Sequence, residues 1–182
     1  MMKLALMLAD GFEEIEAIGT VDILRRGGVE VVTAAIGETL SVAGAHGIVV
    51  TADAFIDDLD AASIDAIALP GGMGGMKRLR ADGRVAALAR ELLAAGKIVS
   101  AICASPLVLS AAGVLEGRRA TCYPGLEGEL RCGAYVADET VVEDGNVITS
   151  QGPGTTFDFA LALLARLAGQ DAANRVADGM LA

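Results

Sequence analysis

Apolar residues along this chain come in short runs separated by polar turns, and the runs alternate between two periods. KLALML (3–8) is almost wholly apolar and ends at Ala9-Asp10-Gly11, the pattern of a strand buried on both faces. Beyond that turn Ile15, Ile18, Val21 and Leu24 recur at helical spacing, and Arg25, Arg26 and Gly27-Gly28 supply a basic last turn and a stop. Asp10 followed by Glu13 resembles a capping box at the start of that helix. VEVVTAAI (29–36) predicts a second strand, GIVVTAD (47–53) a hairpin arm, and IDAIALP (64–70) a strand ending in the glycine loop GGMGGM. The stretch 82–95 has a helical pattern, KIVSAI (97–102) is a strand that meets Cys103, and a helix follows to about Ala112. NVITS (146–150) is a late strand, and GPGTTFDFALALLARLAG carries a helix that stops at Gly169. Strands alternating with helices predict an α/β fold with a mostly parallel sheet covered on both faces, built as one domain over residues 1–182.

Composition narrows the partners. Apolar residues make up 53% of 182, yet no uninterrupted run reaches the roughly eighteen residues that a membrane span needs. MMKLALMLAD is too short in apolar residues for a signal-peptide core, so a cytoplasmic location and no membrane partner are expected. The net charge of −10, with 3% aromatic residues and no Trp, repels a phosphate backbone and offers few stacking platforms; no nucleic acid partner is expected. An odd count of three cysteines (Cys103, Cys122 and Cys132) argues against a disulfide framework. With no CxxC pair and a single histidine, the usual zinc sets cannot be completed, so no metal is expected. GxGxxG counted from Gly72 fails at Lys77, and Gly96-Lys97-Ile98 is no phosphate loop; no nucleotide or other cofactor is expected.

Ligands of open parallel sheets sit beyond the carboxyl ends of the strands, where this chain places Asp10-Gly11 with Glu16 just after, Gly71-Gly72, and Cys103. VSAICASP (99–106) has the spacing A-x-C-x-S, a cysteine version of the nucleophile elbow. A helix starting at Ala104 aims free N–H groups at the sulfur and lowers the thiol pKa, while the N–H groups of Ala104 and Gly72 are placed to hold an oxyanion. Cys103 as an ordinary buried small residue stays open on this local pattern. Glu16 lies among apolar Ile15, Ala17 and Ile18, whereas Glu13 and Glu14 are free to face solvent. A carboxyl in an apolar cleft keeps its proton and can donate a hydrogen bond to a thiolate; a plain helix-dipole partner is the other reading. Cys122 either resolves an oxidised Cys103 or packs in the core, and Met73 and Met76 offer adaptable apolar contacts.

ADGFEEIEA (9–17), ALPGGMGG (68–75), AICASP (101–106) and TSQGPGTTFDFAL (149–161) together resemble, in order and over essentially the whole chain, the motifs of the ThiJ/PfpI superfamily. The nearest branch is that of the Parkinsonism-associated protein deglycase (DJ-one) and its bacterial relatives. The resemblance implies a flavodoxin-like three-layer sandwich, a homodimer, and an oxidation-sensitive catalytic Cys103 beside a protonated Glu16. It also implies Gly72 and Ala104 as oxyanion donors and Pro153 as a wall of the pocket. The branch often carries a histidine near the nucleophile, and Tyr123 stands there in this chain. The one histidine, His46, lies in GAHGIV, either as a surface-loop residue or approaching the pocket across a dimer contact. A substrate contact by Tyr123 or His46 stays open, and proton transfer falls mainly to Glu16. Ala104 directly after the nucleophile, and no histidine after Cys103, disfavour protease and glutamine amidotransferase chemistry. The resemblance therefore implies a cofactor-independent glyoxalase III or deglycase acting on small dicarbonyls such as methylglyoxal and glyoxal or their early adducts. The alternative is a non-catalytic redox-sensing or stress chaperone module that uses oxidation of Cys103.

Overall fold

Strands covered on both faces can show no polar side, and the first run obeys this in the computed structural model, which describes residues Met1–Ala182: Leu4 to Leu8 are all buried. Eleven strands form: β1 (Lys3–Leu8), β2 (Glu30–Ala35), β3 (Ser41–Ala43), β4 (Val49–Thr51), β5 (Ala54–Phe55), β6 (Ala66–Leu69), β7 (Ile98–Ile102), β8 (Arg119–Ala120), β9 (Ala134–Tyr135), β10 (Val141–Asp144) and β11 (Val147–Ser150). The helices are α1 (Glu14–Arg26), α2 (Met73–Ala81), α3 (Gly83–Ala94), α4 (Pro106–Ala111), α5 (Thr156–Ala168) and α6 (Gln170–Met180).

Seven strands make one sheet in the order β10-β11-β7-β6-β1-β2-β5, parallel throughout except for the β10/β11 hairpin. The chain starts at β1, runs outward through β2 to β5, returns to β6 on the other side of β1, and runs outward again through β7 to β11. The strand order thus reverses between β1 and β6, where the two following loops part and leave a crevice. Helices α1, α5 and α6 pack as one layer and α2, α3 and α4 as the other, so the sheet is the middle of three layers, as the sequence predicts. No helix is long and apolar enough to cross a membrane.

Several elements differ from their sequence-based expectation, each for a physical reason. In α1 the buried positions are Glu16, Ala17, Thr20, Val21, Ile23 and Leu24, while Ile15 and Ile18 are 56% and 43% exposed. The helix therefore carries two apolar surfaces, and only one of them meets the sheet. No capping box forms with Asp10. The N-cap is Glu13, whose carboxylate accepts the Glu16 N–H at 2.8 Å, and Asp10 instead accepts the Ala43 N–H at 2.9 Å and ties the β3/β4 hairpin to the end of β1.

Of the expected glycine loop, only Gly71-Gly72 is loop. Gly74 and Gly75 begin α2 because the backbone of Gly11 and Phe12 lies against them; a Cβ on Gly75 would be 2.9 Å from Phe12 Cα. The helix after Cys103 starts at Pro106, behind a turn through residues 103–105. Residues 113–145 form the two-residue strands β8 and β9, a one-turn helix and β10, all too short for periodicity to announce, and α6 was likewise unforeseen.

Two glycine substitutions separate close packing from chain flexibility. Gly75→Ala forces α2 away from Phe12 and is expected to cost about 1–3 kcal/mol in urea unfolding. Gly83→Ala, where a Cβ meets nothing within 4 Å, is expected to be neutral or to stabilise by up to about 1 kcal/mol.

Candidate active site

Cys103 ends β7 with φ 65°, and Leu181 near the chain's end is the one other non-glycine residue in the left-handed region. That conformation costs an L-residue about 1–2 kcal/mol. Hydrogen bonds on every side hold it. The Cys103 N–H donates to Ser150 O at 3.0 Å, its carbonyl accepts the Tyr123 N–H at 2.7 Å, and the Ser105 hydroxyl donates to Pro70 O at 2.6 Å. The elbow is thus bolted to the ends of β11 and β6. The thiol is 8% exposed and reaches the floor of a cleft of about 440 Å³.

Glu16 sits in the first turn of α1, three residues after the Glu13 cap, and is wholly buried. Its Oε2 accepts the Gly71 N–H at 2.7 Å, and its Oε1 has no backbone or water-facing partner. The group beside that carboxyl is the Cys103 thiol, within hydrogen-bonding reach. Gly71 makes this meeting possible. A Cβ there would lie 2.5 Å from Cys103 Cβ, 2.9 Å from Cys103 Sγ and 2.7 Å from Glu16 Oε2. Gly72, at φ +83°, turns its N–H with that of Ala104 toward the sulfur; a Cβ on Gly72 would strike Gly11 O at 2.3 Å.

Burial pushes the Glu16 carboxyl up to about 7 against the pull of the Gly71 N–H and the Cys103 thiol, and repulsion from Glu13 adds a smaller upward push. The lowered thiol pKa expected from a helix start is not found. Burial first, and the adjacent Glu16 second, push Cys103 up to about 12, and the N–H groups of Gly72 and Ala104 only moderate this. With α4 six residues long and starting three positions later, its dipole does not outweigh burial. The two acids titrate as one unit: the pair gives up one proton near pH 7 and keeps the other far above it. At neutral pH the cleft floor therefore holds two acids, between them one exchangeable proton, and amide donors aimed at the sulfur.

The cleft is lined by Glu13, Ala45, His46, Gly72, Met73, Cys103, Ala104, Tyr123 and Pro153, with Pro124 to Leu126. All seven residues singled out in the sequence therefore meet around one space except Glu16, which lies behind its floor. His46 reaches the cleft within its own chain, carried there by the β3/β4 hairpin. Its Nδ1 is 2.8 Å from Glu14 Oε2, and its N–H donates to Glu14 Oε1 at 2.6 Å. That hydrogen bond and charge raise the His46 pKa; burial works to raise Glu14, but the bonds from His46 and Ile48 hold it below its ordinary value. Glu13 and Glu14, expected to face solvent, are 8% and 6% exposed, one spent on the helix cap and the other on the hairpin. With His46 they place ligand-type atoms within 4.8 Å of one another, the chain's one group of the kind that could hold a metal. Cys122 is fully buried and does not line the cleft, so it packs in the core. Met73 lines the cleft and Met76 is core.

Sequence reasoning placed Gly71-Gly72 at a ligand edge without giving Gly71 a role, and it missed Glu13 and Glu14. The doubled glycine after an apolar strand was the available signal for Gly71; the two carboxylates show none, because their burial depends on a hairpin thirty residues away.

Residues 2–166 match the DJ-1/PfpI family. The Drosophila melanogaster protein dj-1beta is 39% identical over 183 residues, covering 100% of this chain and 98% of its own. Deglycase PH1704 of Pyrococcus horikoshii is 35% identical over 157 residues, 86% of this chain and 93% of that one. Among solved structures, the C103A mutant of a DJ-1 superfamily protein from Salmonella typhimurium superposes with a TM-score of 0.95 at 43% identity, covering 100% of this chain and 98% of its own.

Glu16 also sets a pH dependence of stability. Its folded value of about 7 lies above the ordinary 4.5, so the native state holds this proton more tightly than the unfolded chain does. The resulting stabilisation is complete below pH 4.5 and fades as pH rises to about 7, a change of about 3 kcal/mol. Urea unfolding from pH 4.5 to 8 should show that loss in the wild-type chain and its absence in Glu16→Gln, which keeps an acceptor for Gly71.

Proposed function

This chain belongs to the DJ-1/PfpI family, and on that premise we propose that it is a cysteine-dependent, cofactor-independent enzyme of the glyoxalase III or deglycase type, acting on methylglyoxal, glyoxal or their early adducts. The observation that carries the reading is the contact between a strained, cleft-facing Cys103 and a buried Glu16 whose proton exchanges near neutral pH. Relatives named as deglycases support the same direction.

In this reading Glu16 accepts the thiol proton as Cys103 Sγ adds to the aldehyde carbon of methylglyoxal. A C–S bond forms, the carbonyl π pair moves to oxygen, and the Gly72 and Ala104 N–H groups hold the resulting oxyanion. Glu16 returns that proton to the oxyanion, takes the hydrogen of the former aldehyde carbon as a proton, and delivers it to the neighbouring carbon while the hydroxyl proton shifts between the two enediol oxygens, which oxidises the first carbon and reduces the second. Water cleaves the thioester so formed; the C–S bond breaks, the thiol returns, and methylglyoxal plus water has become lactate. No external oxidant or reductant enters. Tyr123 and Pro153 bound the substrate from the far wall, and Tyr123 orients a carbonyl oxygen through its hydroxyl.

The same reading places the protein in the cytoplasm, consistent with three free thiols, and as a homodimer. Ile15 and Ile18 on α1 and Ile48 and Val49 on the hairpin next to it are all exposed and would be covered by a second copy. Oxidation of Cys103 to a sulfinate is a second use of the same corner, favoured by the N–H groups that would receive its oxygens.

Lactate formation from methylglyoxal is expected to fall at least about a hundredfold in Cys103→Ala and in Glu16→Gln. In the wild-type chain kcat/KM should rise with pH through about 7 and then level, following the first proton lost by the pair. Wild-type turnover in both variants would overturn the mechanism. Mild peroxide should add two oxygens at Cys103 before Cys122 or Cys132, measured by peptide mapping.

A further inference from the structure

The dicarbonyl reading leaves open which carbonyl compounds the cleft admits, and the charges on its walls bear on that. Its lining contains no lysine and no arginine. The one basic side chain, His46, is already matched by Glu14, whose buried carboxylate receives the ring and two backbone N–H groups. His46 can supply at most one positive charge, and its ring is bonded to Glu14. Glu13 is a second carboxylate in the same group, within 4.8 Å of both. Glu13 is 8% exposed, lines the same cleft as Cys103, and its carboxylate accepts one neutral donor, the Glu16 N–H, so the two carboxylates outnumber the one cation beside them. A carboxylate held in place by its cap, in a partly desolvated cleft, acts on an incoming charge more strongly than one in water.

We infer that Glu13 is a specificity-determining residue that excludes anionic carbonyl compounds from Cys103, so that the cleft takes neutral dicarbonyls and dicarbonyl adducts carried on cationic groups such as guanidinium or amine, in preference to 2-oxo acids. The inference rests on the function proposed above. It also favours product release. A neutral 2-oxoaldehyde enters without opposition, while the 2-hydroxy acid formed from it is an anion and is repelled by the wall that admitted its precursor.

The test is independent of turnover. Cys103 is alkylated by iodoacetamide, which is neutral, or by iodoacetate, which is similar in size and anionic, and the rate at Cys103 is followed by peptide mapping at pH 8. The ratio of the two rates is referred to that of a neutral free thiol, N-acetylcysteine amide. In the wild-type chain the ratio should exceed the reference by about tenfold, and in Glu13→Gln it should fall by at least about threefold, the remainder being the repulsion of the charge that the Cys103 and Glu16 pair carries at that pH. Glu91→Gln, an exposed carboxylate on α3 outside the cleft, should keep the wild-type ratio. Glutamine retains a carbonyl to accept the Glu16 N–H, so the cap survives. Should the variant nonetheless not fold, the wild-type chain still decides: 0.5 M salt should raise the iodoacetate rate severalfold and leave the iodoacetamide rate nearly unchanged. A wild-type ratio equal to the free thiol's, a ratio unmoved by Glu13→Gln, or salt-insensitive alkylation by iodoacetate would overturn the inference. If methylglyoxal is not turned over while the ratio behaves as expected, the catalytic reading fails and the charge filter stands.

Discussion

A thiol and a carboxyl that touch in a space wide enough for no further atom are the constraint on which the rest of this molecule depends. Cys103 and Glu16 arrive from different strands' ends, one from β7 and the other from α1 after β1, and both press on the position where Gly71 has no side chain. Two acids so placed cannot both ionise near neutrality, and burial raises the cost of the first charge as well. Burial is the larger cause and brings the Glu16 proton to about pH 7, while the same carboxyl helps to hold the proton on the thiol. An isolated glutamate in water would be ionised, and an isolated cysteine would be neither strained nor oriented.

The fold supplies that contact through its topology. Because the strand order reverses between β1 and β6, the loops leaving these strands diverge, and Gly71-Gly72 and the start of α1 face each other across the gap. Close backbone approach then fixes the spacing. The Glu13 N–H donates to Gly71 O at 3.0 Å while the Gly71 N–H donates to Glu16, so the backbone of one residue clasps both the cap and the acid. The elbow's strain is balanced in the same way, by backbone bonds to β11 and to Tyr123, which are too many to be lost one at a time. Rigidity here has a chemical purpose: a proton passes between carbons only if the carrier stays within reach of both.

Much of this architecture was legible because periodicity is a local property. The strands that end at Asp10, Gly71 and Cys103 announce themselves as short apolar runs, and the elbow spacing around Cys103 needs only five residues to be recognised. Glu16 was recognised for a reason the structure does not share. Its apolar neighbours Ile15 and Ile18 point outward, and what buries it is the face formed with Ala17, Thr20 and Val21. Proximity in sequence stood in for proximity in space, which on a helix holds only at every third or fourth residue. The failures have a common cause. His46, Glu13 and Glu14 are placed by a hairpin that folds back over the start of α1, a contact between residues more than thirty positions apart. The thiol's pKa was misjudged because a helix start was weighed without the burial and the carboxylate that oppose it.

In the proposed reaction the division of labour is simple, because Tyr123 stands on the cleft wall and no histidine follows Cys103. Two groups around the cleft are candidates to carry protons, Glu16 and His46, and His46 holds its ring against Glu14. One carrier is left for successive transfers. It must accept the thiol's proton, donate to one carbon after taking from another, and be reset by water, so each turnover passes through both of its ionisation states. A carboxyl poised near pH 7 can do this because neither state is far uphill of the other. A carboxylate at its ordinary value would take the first proton poorly, and a fully neutral acid would not take it at all. The proposed chemistry thus rests on the depth at which one glutamate is buried, and the close approach of Cys103 to it depends on a glycine in the loop after β6.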